Sequence, residues 1–391
     1  MQITSGWCQA RPNVVRSHSS VLKTSYPLSC TAADSASATP HRTPSHSAAS
    51  TAARLRRPSK GVEPLEGQYN GAYMGRVCEH LGWAHGAGLQ VVLAMHQDGY
   101  GPALGGSGMP DWTAPGAQSK AAAWGVFWAR RLPQFRDAWS RLLATCPEEA
   151  PPVGIAPLVG PEGGGDAWPP LADEVRAVAT ARFGPVILFV EPDLGRDGYG
   201  DWRFGDADVV FSPSGWGRGA GAIAGDGVDG PWIEEGAALR RAYGVPLLYR
   251  GVGADGPEAL NAALSLTERI GAATAIWQDG FGGAMALRDE AGVPGPSWDV
   301  AARRPWPTRV AGSILGFERA PDGFTLRWWH DGSNQGVSRV GARGFGVVTD
   351  VVYVQGGEGE LIWAYDPSAE EVTLVVDGPP RTVEVIMSGD P

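Results

Sequence analysis

The residues best placed for chemistry follow directly on short apolar runs. His96, Gln97 and Asp98 come after LQVVLAM, while Trp277 closes ATAIW with Gln278 and Asp279 next. At such a strand end a histidine can hydrogen-bond a hydroxyl-rich ligand, and an indole can stack on its apolar face. The plainer alternatives are a hydrogen-bonded core imidazole for His96 and rim packing for Trp277. Glu162, Glu191, Asp255 and Asp279 also lie just past apolar runs. A carboxyl there could serve as acid or base, although a helix cap or a loop ion pair is the commoner use.

Other motifs are excluded by spacing. GVGADG at 251–256 fits G-x-G-x-x-G, follows a strand and precedes a helix, with Asp279 about twenty residues on. That arrangement would place a dinucleotide pyrophosphate at a helix N-terminus. A doubly wound half needs further β-α units after the motif, and only one strand remains before the pattern becomes all-β. His80 and His85 lie roughly 140° apart on a helix and share no face, so they form no metal pair. No G-x-S-x-G elbow or H-E-x-x-H helix occurs.

Composition narrows the partners. Hydrophobic residues make up 43% of 391, enough for a large core, and charged residues only 19%. With 56 Gly and 32 Pro, many turns and long loops are expected around that core. The net charge of −10 argues against nucleic acid, and the one basic run, Arg54 to Lys60, is short and interrupted by Pro58. Four cysteines without a CxxC make no disulfide framework in a chain of this size. Cys78 and Cys146 are therefore expected as buried thiols. No apolar run is long enough to span a membrane, and the first thirty residues lack the apolar stretch of a secretory signal.

These residues need elements to position them. Residues 1–50, rich in Ser, Thr, Ala and His, read as a disordered tail. Beyond it, helical and apolar runs alternate. A helix carrying Tyr73, Val77, Leu81 and Ala84 on one face precedes LQVVLAM. A helical stretch over 118–145 passes Pro133, with Trp124, Trp128 and Trp139 packing inward. An apolar run at 153–159, a helix at 170–183 and PVILFV at 185–190 follow. DVVF (208–211), a helix at 232–243, VPLLY (245–249), a helix at 257–270 and ATAIW (273–277) complete the series. This alternation predicts an α/β fold with a parallel sheet, of a length suited to a (β/α)8 TIM-type barrel over 51–312. From 313 to 391 the pattern is strands only, which predicts a small β-sandwich.

Several ordered motifs resemble family-5 glycoside hydrolases, in particular the endoglycoceramidase-like branch, over about 51–391. HQD (96–98) with GGSGMPDW (105–112) resembles that branch's third-strand loop. RLRRPSKGVEPLEGQYN (54–70) looks like its second strand and following turn. IWQDGFGGAMAL (276–287) and RPWPTRVAG (304–312) resemble its eighth strand and barrel exit. The resemblance implies retaining hydrolysis of a β-glucoside or glycolipid, without a cofactor, and a carbohydrate or glycolipid as partner. It also implies Arg54, His96, Gln97, Asp98 and Trp277 as retained cleft residues, while Ser214 and Trp216 stand where the sixth strand usually supplies His and Tyr. The first strand has no counterpart in the polar tail.

The departure from the family lies at its two carboxyls. The acid/base glutamate belongs to an Asn-Glu-Pro motif after the fourth strand, where GIAPLVGP puts Val159 and Gly160 before Pro161. The nucleophile belongs to Gly-Glu-Phe-Gly after the seventh, where VPLLYRGVG puts Arg250 and Gly251. Retaining hydrolysis uses two carboxyls about 5–5.5 Å apart, and glycine supplies neither proton nor nucleophile. The first expectation is a carbohydrate- or glycolipid-binding pseudoenzyme. The second is a working hydrolase that recruits a displaced carboxylate such as Glu162, two residues beyond Gly160. A third is a decaying coding sequence whose product folds poorly.

Overall fold

A computed structural model describes residues 2–8, 29–32, 61–191, 208–213, 230–277, 285–289, 291–320, 323–330, 332, 336–344, 347–355 and 361–390. They fall into two compact units. The first is built from Met1–Gln9 and Cys30–Ser214, and the second mainly from Gly215–Trp277 and Phe281–Pro391.

In the first unit, two short strands lie within the stretch that composition marks as a tail: β1 (Gln2–Cys8) and β2 (Ser29–Ala32). They pair antiparallel through Trp7↔Thr31. The alternation expected from sequence follows: α1 (Gly71–Gly86), β3 (Gln90–His96), α2 (Lys120–Arg130), α3 (Leu132–Thr145), β4 (Gly154–Ala156), α4 (Trp168–Phe183), β5 (Ile187–Val190) and β6 (Val209–Phe211). β3, β4, β5 and β6 are neighbours in that order and all parallel, from Val92↔Gly154 to Val190↔Phe211. β1 lies antiparallel along β3, from Gln2↔His96 to Cys8↔Gln90. The interior of β3, and β4 and β6 along their length, are buried on both faces, which is why their sequences are continuous apolar runs rather than alternating ones.

Local chemistry sets the helix ends. The Asn70 side chain accepts from the Tyr73 N–H at 3.0 Å and caps α1. That helix buries Met74, Val77, Cys78, Leu81 and Ala84. The helical stretch around Pro133 is two helices, broken at Arg131. Proline cannot sit in a helix interior without losing a hydrogen bond, and here it falls in the first turn of α3 instead.

Cys78 and Cys146 correct the expectation of buried thiols: they form a disulfide between α1 and the end of α3, with Cα atoms 4.7 Å apart. Packing of α1 on α3 brings together residues 68 positions apart, a relation that no local pattern encodes. Closing so long a loop restricts the unfolded chain. Replacing both cysteines by alanine is expected to cost about 2–4 kcal/mol. Urea midpoints of wild-type protein with and without dithiothreitol check this; the reduced wild type should fall to the double variant's midpoint.

The second unit begins with α5 (Gly230–Tyr243), β7 (Leu248–Val252), α6 (Pro257–Arg269) and β8 (Ala273–Trp277). β7 and β8 are parallel. After α7 (Pro296–Ala302) only strands follow: β9 (Trp306–Arg309), β10 (Ser313–Ala320), β11 (Gly323–His330), β12 (Val337–Gly341), β13 (Val347–Gln355), β14 (Leu361–Asp366), β15 (Glu371–Val376) and β16 (Arg381–Asp390). They make two four-stranded antiparallel sheets, β10-β11-β16-β13 and β14-β15-β12-β9. Phe324, Leu326, Trp328, Val383 and Val385 from one sheet share an apolar cluster with Val340, Val372 and Leu374 from the other. β9, from the RPWPTR segment, pairs antiparallel with β12. Pro307 is tolerated there since β9 is an edge strand.

Candidate functional site

The candidate residues of the first unit gather where β3, β4 and β5 end. His96 closes β3 and is half-buried, Asp98 is exposed, and Gln97 between them is buried. Asp98 and Ser107 exchange main-chain hydrogen bonds of 2.7 and 2.6 Å, which fold the HQD loop back on itself. The Gln97 carboxamide is spent on main chain. Its Oε1 accepts from the Tyr100 N–H at 2.8 Å, so its Nε2 must face carbonyls. Nε2 donates to the Val159 carbonyl at 2.9 Å and to the Gly160 carbonyl. Gln97 thus ties the third-strand loop to the exit of β4.

Glu191 completes that exit. It follows β5, is 2% exposed, and its Oε2 accepts from the Gly160 N–H. Gly160 has φ 61°. Of the carboxylates weighed from sequence, Glu191 therefore stands directly against the position that the family resemblance gives to the acid. Glu162 lies on the loop beyond, where its main-chain carbonyl accepts from the Trp128 indole at 2.6 Å.

The tryptophans serve this scaffold. Trp139 donates to the Pro157 carbonyl at 3.0 Å and Trp168 to the Glu191 carbonyl at 3.2 Å. Trp124, Phe127 and Trp128 pack with Tyr100 and Trp168 in one aromatic group. Tyr100 is one of two non-glycine residues with positive φ among the described residues, at 76°. Its hydroxyl lies 3.0 Å from Thr113 Oγ1. Burial pushes the phenol above its ordinary range, and the Thr113 hydrogen bond pulls partly back.

In the second unit, β7 carries the nucleophile position of the resemblance. Tyr249 packs its hydroxyl against Gly236 of α5. Strand alternation then sends the half-buried Arg250 to the opposite face. Gly251 has φ 68°, and the pairing with β8 steps from Arg250↔Ala275 to Val252↔Ile276, leaving Gly251 as the extra residue of a bulge. Asp255 is exposed just before α6. The backbone of Trp277 ends β8. Arg54, Ser214, Trp216, Gln278 and Asp279 lie outside the described residues.

A cavity of about 20 Å³, room for one water, lies elsewhere in the first unit, between Glu63, Trp112, Arg131 and Gln134. His96, Gln97, Asp98, Glu162 and Glu191 do not line it. Among the described residues no helix is long and apolar enough to cross a membrane.

Chemically, the described strand ends hold polar groups able to bind hydroxyls, in His96 and Asp98, and a cation in Arg250. Neither Gly160 nor Gly251 offers a carboxyl. The bond between Glu191 and Gly160 has only a faint trace in sequence, a glutamate directly after an apolar strand.

No protein-family model matches the sequence, and no curated protein matches it. Solved structures do match. Endo-glycoceramidase II from Rhodococcus sp. aligns with TM-score 0.62 and 18% identity over 87% of this chain and 89% of that one. An endogalactoceramidase aligns with TM-score 0.54 and 19% identity, over 86% and 87%. Sterylglucosidase 1 from Cryptococcus neoformans gives TM-score 0.61 and 11% identity, with 86% of each chain covered. At such identities the likeness shows the fold alone: this chain has an α/β fold like that of these three structures.

Proposed function

We propose that this protein binds a carbohydrate or the sugar head of a glycolipid and leaves the glycosidic bond intact. One observation carries the reading: glycine stands at both positions where the family resemblance calls for a catalytic glutamate, Gly160 and Gly251. Retaining hydrolysis needs one carboxyl to protonate the leaving oxygen and another to attack the anomeric carbon. With neither in place, a bound sugar meets no carboxyl at either of these two positions. The reading takes 51–312 as a (β/α) barrel, with β1 and β2 from the first fifty residues joined to its sheet through β3, and 313–391 as a β-sandwich. Arg54, His96, Gln97, Asp98, Trp216 and Trp277 are its proposed ligand-side residues, with Gln97 acting through the main chain it holds.

A second reading keeps the hydrolase and recruits a displaced carboxylate such as Glu162. The tie between the Glu162 carbonyl and Trp128 weighs against an easy inward shift of that loop.

Calorimetric titration with lactose, and flotation with vesicles carrying lactosylceramide, test the binding. His96→Ala and Trp277→Ala are each expected to weaken it about tenfold, the equivalent of 1.4 kcal/mol for a lost hydrogen bond or stacking face. Folded protein that binds neither probe at millimolar concentration would remove the proposal.

A further inference from the structure

We propose that the loss of hydrolysis is built into the main chain: both family carboxylate positions are held in left-handed backbone that favours glycine, and Gln97 and Glu191 lock the one at β4. This rests on the assignment of Gly160 and Gly251 made above and says why the site stays disarmed.

At Gly160, φ is 61° and Pro161 follows. A residue with a Cβ meets a steric penalty in left-handed backbone. A following proline drives such a residue further, toward extended conformations. A glutamate before that proline would therefore extend the chain rather than adopt the turn seen here. Extension would rotate both peptide groups that now bond Glu191 and Gln97. Glu191 is buried and would lose a main-chain donor, and Gln97 would lose an acceptor. Gln97 is not free to adjust, because its other end holds Tyr100, itself left-handed at 76°.

Gly251 reaches the same state independently. It is the residue skipped where the parallel pairing of β7 with β8 steps from Arg250 to Val252, and its φ is 68°. A side chain there would strain the bulge or force the β7–β8 register to change. Restoring the two side chains would therefore not by itself place two working carboxyls.

Thermal unfolding and aryl β-glucoside turnover of Gly160→Ala, Gly251→Ala, Gly251→Asn and the Gly160→Glu/Gly251→Glu double variant test this. Each alanine variant is expected to unfold about 2–8 °C below wild type, from the left-handed penalty spread over a unit of this size. Gly251→Asn should fall less than Gly251→Ala, since asparagine tolerates this region. In a Gln97→Leu background the Gly160→Ala shift should shrink, because the lock is already open. The double glutamate variant is expected to show no turnover. Alanine variants that melt with wild type, or turnover by the double glutamate variant, would overturn the inference. If that double variant does not fold, the alanine and asparagine midpoints decide alone. Hydrolysis by the wild type would instead remove the binding proposal and leave these midpoints to be judged by themselves.

Discussion

Purified protein offered an aryl β-glucoside, an aryl β-lactoside or a glycosylceramide is expected to release no product, at least about 10⁶-fold below an intact retaining glycosidase. The size follows from what is missing. A positioned general acid is worth about 10²–10⁴-fold, and without a nucleophile the covalent path is closed altogether. Glu162→Gln should change nothing, since the carbonyl of Glu162 is held by Trp128 and Gly164 abuts the same indole ring. Glu191→Gln should lower stability without touching turnover, because the carboxylate's described role is to accept from Gly160. Turnover that vanishes in Glu162→Gln would make that residue a working carboxylate and return the chain to the enzymes. Turnover that vanishes only in Glu191→Gln would do the same, with Glu191 as the acid.

Legibility in the sequence depends on whether the cause of a feature is local. ATAIW coincides with β8 at 273–277, and the helical pattern over 257–270 becomes α6 from Pro257 to Arg269, because apolar period and a proline in the first turn are local signals. The apolar run VPLLY stops at Tyr249, yet β7 continues to Val252. The extension passes through Arg250 and the Gly251 bulge, which is stabilised by pairing with β8 rather than by its own composition. The glycines are visible as residue types, and their left-handed backbone is not. The disulfide is hidden for a similar reason, since it depends on how two helices pack.

The buried cluster around Arg304 does leave a signal, though an indirect one. Asn261, Ser265 and Glu268 recur at spacings of four and three along α6, a polar stripe on one helix face. Nothing local to the RPWP segment says that Arg304 is their partner. In the structure it lies 4% exposed against that stripe. It donates to Glu268 through Nε at 2.6 Å and Nη2 at 2.7 Å, to Ser265 Oγ at 3.1 Å, and through Nη1 to Asn261. The pair therefore anchors the segment that leads into β9 onto α6.

Arg304→Met is expected to cost about 3–5 kcal/mol at neutral pH, lowering the melting midpoint by about 6–20 °C. The cost arises from the partner left behind. Burial pushes the Glu268 carboxyl above its ordinary value of 4.5, and Arg304 pulls it back by donating two hydrogen bonds. Without the guanidinium only the upward push remains strong, so the folded-state pKa rises further. A carboxyl raised on folding binds its proton more tightly in the native state than in the unfolded one. Stability then falls as pH rises from about 4.5 through the raised folded value, and is recovered on acidification. The deficit of Arg304→Met should accordingly be largest near pH 8 and smallest near pH 5. Adding Glu268→Leu should restore most of the loss and flatten the pH dependence, because a dry apolar contact replaces an unpaired charge. Urea unfolding of the three proteins between pH 5 and 8 measures this directly. A deficit constant across that range, or one that grows toward pH 5, would mean that Arg304 acts through packing of its stem rather than through the charge it neutralises.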